Sequence, residues 1–168
     1  MDTGTFKKPG VILREVIDKV KPDLKSISEV DSGSKPSPGK WSQKEILGHL
    51  IDSAIVNQQR FVRALLSEDL VFKGYEQDVW VKMQRYNEGE WSELVDLWYS
   101  LNRNISRLMN TASEEVLFIK RHNHNLNEIA WKPVSADQPS TLDYFMRDYT
   151  GHLEYHLDQL FNLKTDQR

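Results

Sequence analysis

Cysteine is absent from this chain of 168 residues. Without thiols the protein has no disulfide framework, no cysteine-based zinc site and no cysteine nucleophile. Any reaction that uses sulfur as the nucleophile therefore requires a thiol supplied by a second, small molecule. The same absence leaves histidine and the carboxylates as the side chains from which a metal site can be built.

Long apolar runs and blocks of basic residues are also missing. No apolar stretch approaches the roughly 18 residues of a membrane span, and the first residues, "MDTGTFKKPG", lack the apolar core of a signal peptide. The formal net charge is −3, from 22 basic and 25 acidic residues, so a polyanion finds no basic surface. We therefore expect a cytoplasmic protein that binds neither membranes nor nucleic acid.

Apolar residues recur with helical spacing along most of the chain. Hydrophobic residues make up 39% of it and include five Trp, which is enough for one core. The sequence from Ser42 to Glu45 has the Ser-x-x-Glu pattern of a capping box, which marks a helix start. We predict an all-α four-helix bundle in which residues 1–168 form a single domain, with long helices over 11–24, 42–66, 91–109 and 140–161.

The connectors between these helices carry weaker patterns. Pro22 falls near the end of the first helical pattern and predicts a stop or a kink there. Residues 68–90 include "YEQDVWVKMQRY" (Tyr75–Tyr86), which predicts a short helix across one end of the molecule. Residues 116–139 are polar and irregular, and a small hairpin is one interpretation of them.

Two histidines stand four residues apart in the last predicted helix, within "GHLEYHLDQL". Residues at this spacing lie about 40° apart around a helix and roughly 6 Å apart along it, so His152 and His156 can bind one metal ion. The zincin motif needs Glu directly after the first His, where this chain has Leu153. Glu154 lies about 200° around the helix from His152, which disfavours a zincin-type peptidase.

A third histidine, His49, interrupts the strongly apolar segment "EILGHLIDSAIV" of the second predicted helix. Helix bundles build metal sites from inward-facing side chains on facing helices. His49 together with His152 and His156 supplies three neutral nitrogen ligands and leaves a position open for water or substrate. The remaining histidines belong to "HNHN" (His122–Asn125), which lies in a polar, Asn-rich stretch and is interpreted as an exposed loop.

Further motifs surround these histidines. A Trp-Ser pair opens the second helix, His-Leu-x-Asp begins at His49, and Gly-His-x-x-x-His begins at Gly151. In these motifs, and over about residues 9–163, the chain resembles the DinB/YfiT-like superfamily of metal-dependent proteins. The segment Tyr75–Tyr86 also resembles the YfiT-like branch, which includes bacillithiol S-transferases.

The resemblance implies a bundle that holds one divalent metal ion, Zn or Ni, through His49, His152 and His156. It also implies a homodimer and an enzyme that transfers a low-molecular-weight thiol to an electrophile. A cation with an open position deprotonates a bound thiol at neutral pH, which suits that reaction. Two alternatives remain: a hydrolase of a small amide or ester that uses the same metal, and a non-catalytic stress-response protein with a structural metal.

Four residues outside the histidine trio are candidates for the site. Asp52 lies three residues after His49 and can orient a ligand or accept a proton. Arg60, about three turns along the same face, can bind a carboxylate on the thiol cosubstrate. Tyr75 and Gln77 are expected to line the mouth of the pocket. Each also has an ordinary structural interpretation, as a solvated or packing side chain.

Overall fold

Four long helices account for most of the protein in this computed structural model, which describes residues 6–163. None of the helices in that range is long and apolar enough to cross a membrane. In chain order the elements are α1 (Pro9–Ser26), α2 (Glu29–Gly33), α3 (Gln43–Leu66), α4 (Gln77–Gln84), a 3-10 turn (Tyr86–Glu88), α5 (Trp91–Thr111), α6 (Glu114–Phe118), α7 (Leu126–Ile129) and α8 (Leu142–Phe161).

The long helices α1, α3, α5 and α8 form one bundle, in which α1 and α3 each pack against both α5 and α8. Burying a large apolar side chain between helices contributes roughly 1.5–3 kcal/mol. The predicted all-α four-helix bundle is confirmed. Side chains with almost no exposed surface fill its centre: Leu13, Ile17, Leu47, Leu50, Phe61, Trp98, Ile105, Met109 and Phe145.

The start of α3 is held by the predicted capping box. The Glu45 backbone N–H donates to the Ser42 hydroxyl at 3.2 Å, and the Ser42 backbone N–H donates to the Glu45 carboxylate at 2.8 Å. The Ser42 hydroxyl in turn donates to Asn87 Oδ1 at 2.6 Å, which ties the cap to the 3-10 turn. His49 follows the cap by seven residues, which is about two turns. Because the cap fixes where α3 begins, it also fixes the position of His49 on the helix.

The first helix does not stop at Pro22 but continues to Ser26. A proline inside a helix removes one backbone hydrogen bond and costs about 3 kcal/mol. Tertiary contacts beyond Pro22 offset this cost: Leu24 is fully buried, and the Trp91 indole N–H donates to the Leu24 carbonyl at 2.8 Å. The predicted stop is therefore wrong, because packing against α5 outweighs the local preference.

The last helix begins at Leu142, two residues later than predicted. Ser140 exchanges two backbone hydrogen bonds with Arg121, at 2.8 and 3.0 Å, so its backbone belongs to a bridge. Thr141 is the N-cap, and its hydroxyl accepts the Tyr144 N–H at 3.1 Å. The bridge thus displaces the helix start.

The connectors over 68–90 and 116–139 pack against each other. Leu70 donates its backbone N–H to Asn123 and accepts the N–H of Asn125, at 3.0 and 3.2 Å. The Asn125 side chain also binds both backbone groups of Phe72. Within residues 6–163 the small hairpin suggested for 116–139 is absent, and isolated bridges take its place. The short helix predicted within Tyr75–Tyr86 is present as α4.

The interpretation of "HNHN" as an exposed loop is wrong for one of its two histidines. His122 is exposed, but His124 is buried with 8% of its surface accessible. The Leu126 N–H donates to His124 Nδ1 at 3.2 Å, and His124 Nε2 lies 2.7 Å from the Gln138 carbonyl. His124 therefore holds the connector together, which the polar composition of the segment did not reveal.

Gly48 gives the 3-10 turn room to reach α3. A Cβ atom at this position would overlap the Tyr86 ring, which packs directly on the helix backbone. From there the Tyr86 hydroxyl donates to Asp52 Oδ1 at 2.7 Å. The small residue next to His49 thus permits the close approach of the 3-10 turn.

Replacing Gly48 with Ala should lower the free energy of unfolding by about 1–3 kcal/mol, the usual cost of overpacking a core. Helix propensity alone predicts the opposite, a gain of about 1 kcal/mol. Urea denaturation measures the difference. Gly33→Ala is the matched control, since open space surrounds Gly33. If the two variants were equally stable, the close contact with Tyr86 would be disproved.

Candidate metal centre

Three imidazoles from two helices converge between α3 and α8. The Nε2 atoms of His49 and His152 lie 3.2 Å apart, and one ring nitrogen from each of the three histidines falls within 4.8 Å of the others. Two nitrogens bound to one tetrahedral zinc at about 2.0 Å are themselves about 3.3 Å apart. The nitrogens of His49, His152 and His156 are thus spaced as ligands of one ion, and the predicted trio is brought together.

The three histidines are held in the neutral form that metal binding requires. Burial, followed by the proximity of the other two imidazoles, lowers the pKa of His49 to about 3. Burial also lowers the pKa of His152 to about 4, with a smaller effect from His156. Burial lowers the pKa of His156 as well, against the hydrogen bond to Gln159. At neutral pH all three nitrogens therefore offer lone pairs to a cation.

The surroundings of His156 fix its orientation. Its Nδ1 lies 2.8 Å from Gln159 Oε1, so the Nδ1–H donates to the amide and leaves Nε2 free as a ligand. Gln159 is held in turn by the Tyr155 hydroxyl, which accepts its N–H at 3.2 Å. By contrast, His49 Nδ1 is buried without a hydrogen-bond partner among the described residues.

The centre opens into a cavity of about 500 Å³. Within residues 6–163 the group of potential ligands consists of the three histidines, without a carboxylate to complete a closed sphere. Three protein ligands beside an open cavity are typical of catalytic rather than structural zinc sites. Residues on several elements line the cavity, among them Ser53, Asn57, Arg60, Tyr75, Gln77, Glu128, Trp131, Asp148 and Tyr155.

Three of the four other predicted site residues lie in this cavity. Arg60 is buried in its wall, Tyr75 is half-buried, and Gln77 is exposed at the start of α4. Burial and the nearby Asp52 charge raise the pKa of Tyr75 to about 12, so its hydroxyl stays protonated. Their position in the cavity fits the prediction that they bind substrate, which stays a prediction.

Asp52 lies outside the cavity wall and is fully buried. Its Oδ1 accepts hydrogen bonds from Tyr86 at 2.7 Å and from Gln84 at 3.2 Å, and its Oδ2 has no partner among the described residues. Burial raises the pKa of this carboxyl, and the two hydrogen bonds oppose that shift. The structure shows Asp52 fastening α4 and the 3-10 turn to α3, and its predicted roles beside His49 stay predictions.

Sequence reasoning missed the side of the cavity formed by the connector before α8. The Trp131 ring packs on Gly151, where a Cβ atom would come within 2.9 Å of it. Asp148 holds the connector in place by accepting the backbone N–H groups of Trp131 and Lys132 at 2.9 and 2.8 Å. A glycine directly before His152 was the available signal, but it does not reveal which residue covers it.

A second cavity of about 760 Å³ meets the first at His156. Gln77 and Gln159 also line both cavities. The second one is more apolar, and its wall includes Trp41, Ile46 and Leu163. The imidazole of His156 therefore faces two spaces with different chemical character.

The fold and the cluster together define a four-helix-bundle protein with a three-histidine site suited to a metal ion. The solved structure of YfiT from Bacillus subtilis, described as a probable metal-dependent hydrolase with an unusual four-helix bundle topology, matches it with a TM-score of 0.72. The match covers 97% of this chain and 90% of that one at 18% identity, so it shows a shared fold. No protein-family model and no curated protein matches the sequence.

Replacing His152 with Ala should remove the metal from the purified protein. Loss of a residue that only supports a ligand typically lowers metal affinity by about 10–100-fold. Loss of a direct ligand should have a larger effect, so we expect metal affinity to fall by more than about 100-fold. Elemental analysis of the protein after dialysis measures this. His122→Ala, which changes an exposed histidine, is the control. Unchanged metal content in His152→Ala would rule out the trio.

The metal-free protein should lose stability as the pH falls from about 6.5 to about 4. An unfolded chain protonates its histidines near pH 6.5, whereas His49 and His152 take up protons only near 3 and 4 in the folded state. Between these values the unfolded state binds more protons, so the free energy of unfolding rises with pH. Urea titrations across this range should show a shallower dependence of the free energy of unfolding on pH for His152→Gln than for the unchanged protein.

Proposed function

We propose that this protein is a metal-dependent enzyme that transfers a low-molecular-weight thiol to an electrophilic carbon. His49, His152 and His156 would hold one divalent ion, and neutral imidazoles suit Zn and Ni. When bound, such an ion lowers the pKa of a thiol or water molecule at its open position. In the overall reaction a carbon–sulfur bond forms, the bond to the leaving group breaks, and the thiol proton leaves with that group.

The observation that carries this proposal is the meeting of two cavities at His156. A transfer reaction has to place two organic molecules at one centre, whereas a hydrolysis has to place one molecule and a water. The wall of the first cavity mixes polar side chains with apolar ones such as Trp131 and Phe145. The second wall is more apolar, although Lys40, Asp78 and Asp158 also belong to it. This difference suits the more polar of the two reactants, the thiol, in the first cavity and a more apolar electrophile in the second. Since the chain lacks cysteine, the thiol comes from a cosubstrate.

The state of the carboxylates also supports a thiol over water. Hydrolysis benefits from a carboxylate that accepts a proton from the attacking water. Each oxygen of Asp148 already accepts a backbone N–H group of the connector, which engages this carboxylate in a structural contact, and Asp52 lies outside the cavity wall. The remaining acidic residue of the wall, Glu128, is exposed. A thiol ionises more easily than water and depends less on such a base.

Hydrolysis of a small amide or ester is the second candidate. It is favoured by the likeness to YfiT, which is described as a probable metal-dependent hydrolase. A non-catalytic role with a structural metal is a weaker alternative, because structural sites have closed coordination and this one faces a cavity.

A panel of thiols tests the proposal. Metal-free protein is loaded with Zn or Ni and mixed with glutathione, coenzyme A, cysteine or bacillithiol, and monochlorobimane serves as the fluorogenic electrophile. With at least one thiol we expect a rate well above the uncatalysed reaction. That rate should disappear on chelation and in His152→Ala, and persist in His122→Ala.

The other outcomes identify the alternatives. Metal-dependent cleavage of p-nitrophenyl acetate without any thiol transfer would favour the hydrolase. If the protein bound one metal ion per chain but accelerated neither reaction, the non-catalytic role would be favoured instead.

A further inference from the structure

A stripe of polar side chains runs along α3 away from the histidine centre. It comprises His49, Ser53, Asn57 and Arg60, at intervals of four, four and three residues, which places all of them on one face of the helix. All four are buried, and all four line the cavity of about 500 Å³. Four polar residues in a row on a buried helix face are costly unless they have partners.

Arg60 is the member of the stripe whose charge is not balanced. Only 6% of its surface is exposed. It donates to the Lys73 carbonyl at 2.8 Å and to Asn57 Oδ1 at 3.4 Å, while its Nε has no partner. Within residues 6–163 no carboxylate lies within salt-bridge distance of it. A buried guanidinium held only by neutral acceptors retains an uncompensated positive charge.

The acidic residues of the cavity wall do not fill this role. Asp148 is bound to two backbone N–H groups of the connector before α8, and Glu128 is exposed. Tyr75, which also lines the cavity, does not balance the charge either, because its raised pKa of about 12 keeps the hydroxyl neutral. The missing negative charge is therefore expected to come from a ligand, and guanidinium groups bind carboxylates and phosphates particularly well.

The helix sets the length of such a ligand. Eleven residues separate His49 from Arg60, which corresponds to about 16 Å along the helix axis, and the Arg60 side chain leans back toward the N-terminus. The guanidinium is thus on the order of 10–15 Å from the histidine centre. Ser53 and Asn57 lie between the two, at positions that can donate or accept hydrogen bonds from the middle of the ligand.

We propose that the cavity binds an elongated substrate along α3, with a carboxylate or phosphate at Arg60 and its reactive end at the three histidines. The assignment of the reactive end rests on the proposed function, whereas the anion site at Arg60 does not. A short anionic thiol cannot span both sites, so chain length as well as charge determines affinity.

Binding measurements with a matched set of ligands test the anion site. Isothermal titration of the metal-loaded protein compares ω-mercaptooctanoate with the neutral ω-mercaptooctanol, with ω-mercaptooctyl phosphate and with the short mercaptopropionate. A charge-assisted hydrogen bond strengthens binding by roughly 10–100-fold. We expect the octanoate or the phosphate, or both, to bind at least about tenfold more tightly than the alcohol and than mercaptopropionate.

Variants of Arg60 assign the effect to this residue. Arg60→Met should abolish the preference for the anion, Arg60→Lys should keep part of it, and the exposed Arg63→Met on the same helix should leave it unchanged. All three variants should retain their metal, as measured by elemental analysis. The proposal would be overturned if neither the octanoate nor the phosphate bound the unchanged protein more tightly than the alcohol, and also if an Arg60→Met variant kept the preference.

Titration of metal-free protein with plain octanoate separates this inference from the proposed function. Octanoate has no thiol, so Arg60-dependent binding without metal supports the anion site even if no thiol transfer is found. If thiol transfer occurs but charge and length have no effect on binding, the proposed function stands and the anion site is wrong.

Discussion

The burial of α3 is the constraint on which the site depends. This helix contacts α5 and α8 as well as the shorter elements α2, α4 and the 3-10 turn, so most of its surface is removed from water. Every buried polar side chain it carries must therefore find a partner inside the protein or remain unsatisfied. Three of them each retain a buried atom without a partner: His49 Nδ1, Asp52 Oδ2 and Arg60 Nε.

Such unsatisfied groups lower the stability of the fold. Their concentration on one helix therefore indicates that α3 carries them for a reason other than stability. The apolar bundle around them offsets this loss of stability, since large side chains such as Trp98 and Phe61 are fully buried. Natural proteins accept costs of this kind mainly at sites of binding or catalysis. The rest of α3 is conventional, with a capped start and an apolar face directed at the core.

Much of this arrangement could be predicted because it follows from spacing within single helices. The positions of His152 and His156 on one face, and the isolation of His49 among apolar residues, are properties of local sequence, and they sufficed to predict the trio. The apolar periodicity likewise predicted the long helices and the bundle. The metal, the homodimer and the thiol remain predictions, because their recognition depends on groups outside the chain.

The parts that could not be predicted depend on contacts between distant segments. Nothing local to Pro22 indicates that Trp91 will hold the turn beyond it, and nothing local to His124 indicates that the connector will be buried. Asp52 was linked to His49 by their proximity along α3, but its partners Tyr86 and Gln84 come from the 3-10 turn and from α4. Periodicity describes which face a residue occupies but does not identify what covers that face.

The packing of Trp131 on Gly151 joins the wall of the cavity to the helix that carries two of the histidines. Because Asp148 fastens the same connector one turn earlier on α8, wall and helix are held together at two successive points. A change in the shape of this wall therefore also acts on the neighbouring His152. In the proposed enzyme, substrate range and metal affinity would thus be coupled traits, and selection for a new substrate at Trp131 would act on both at once.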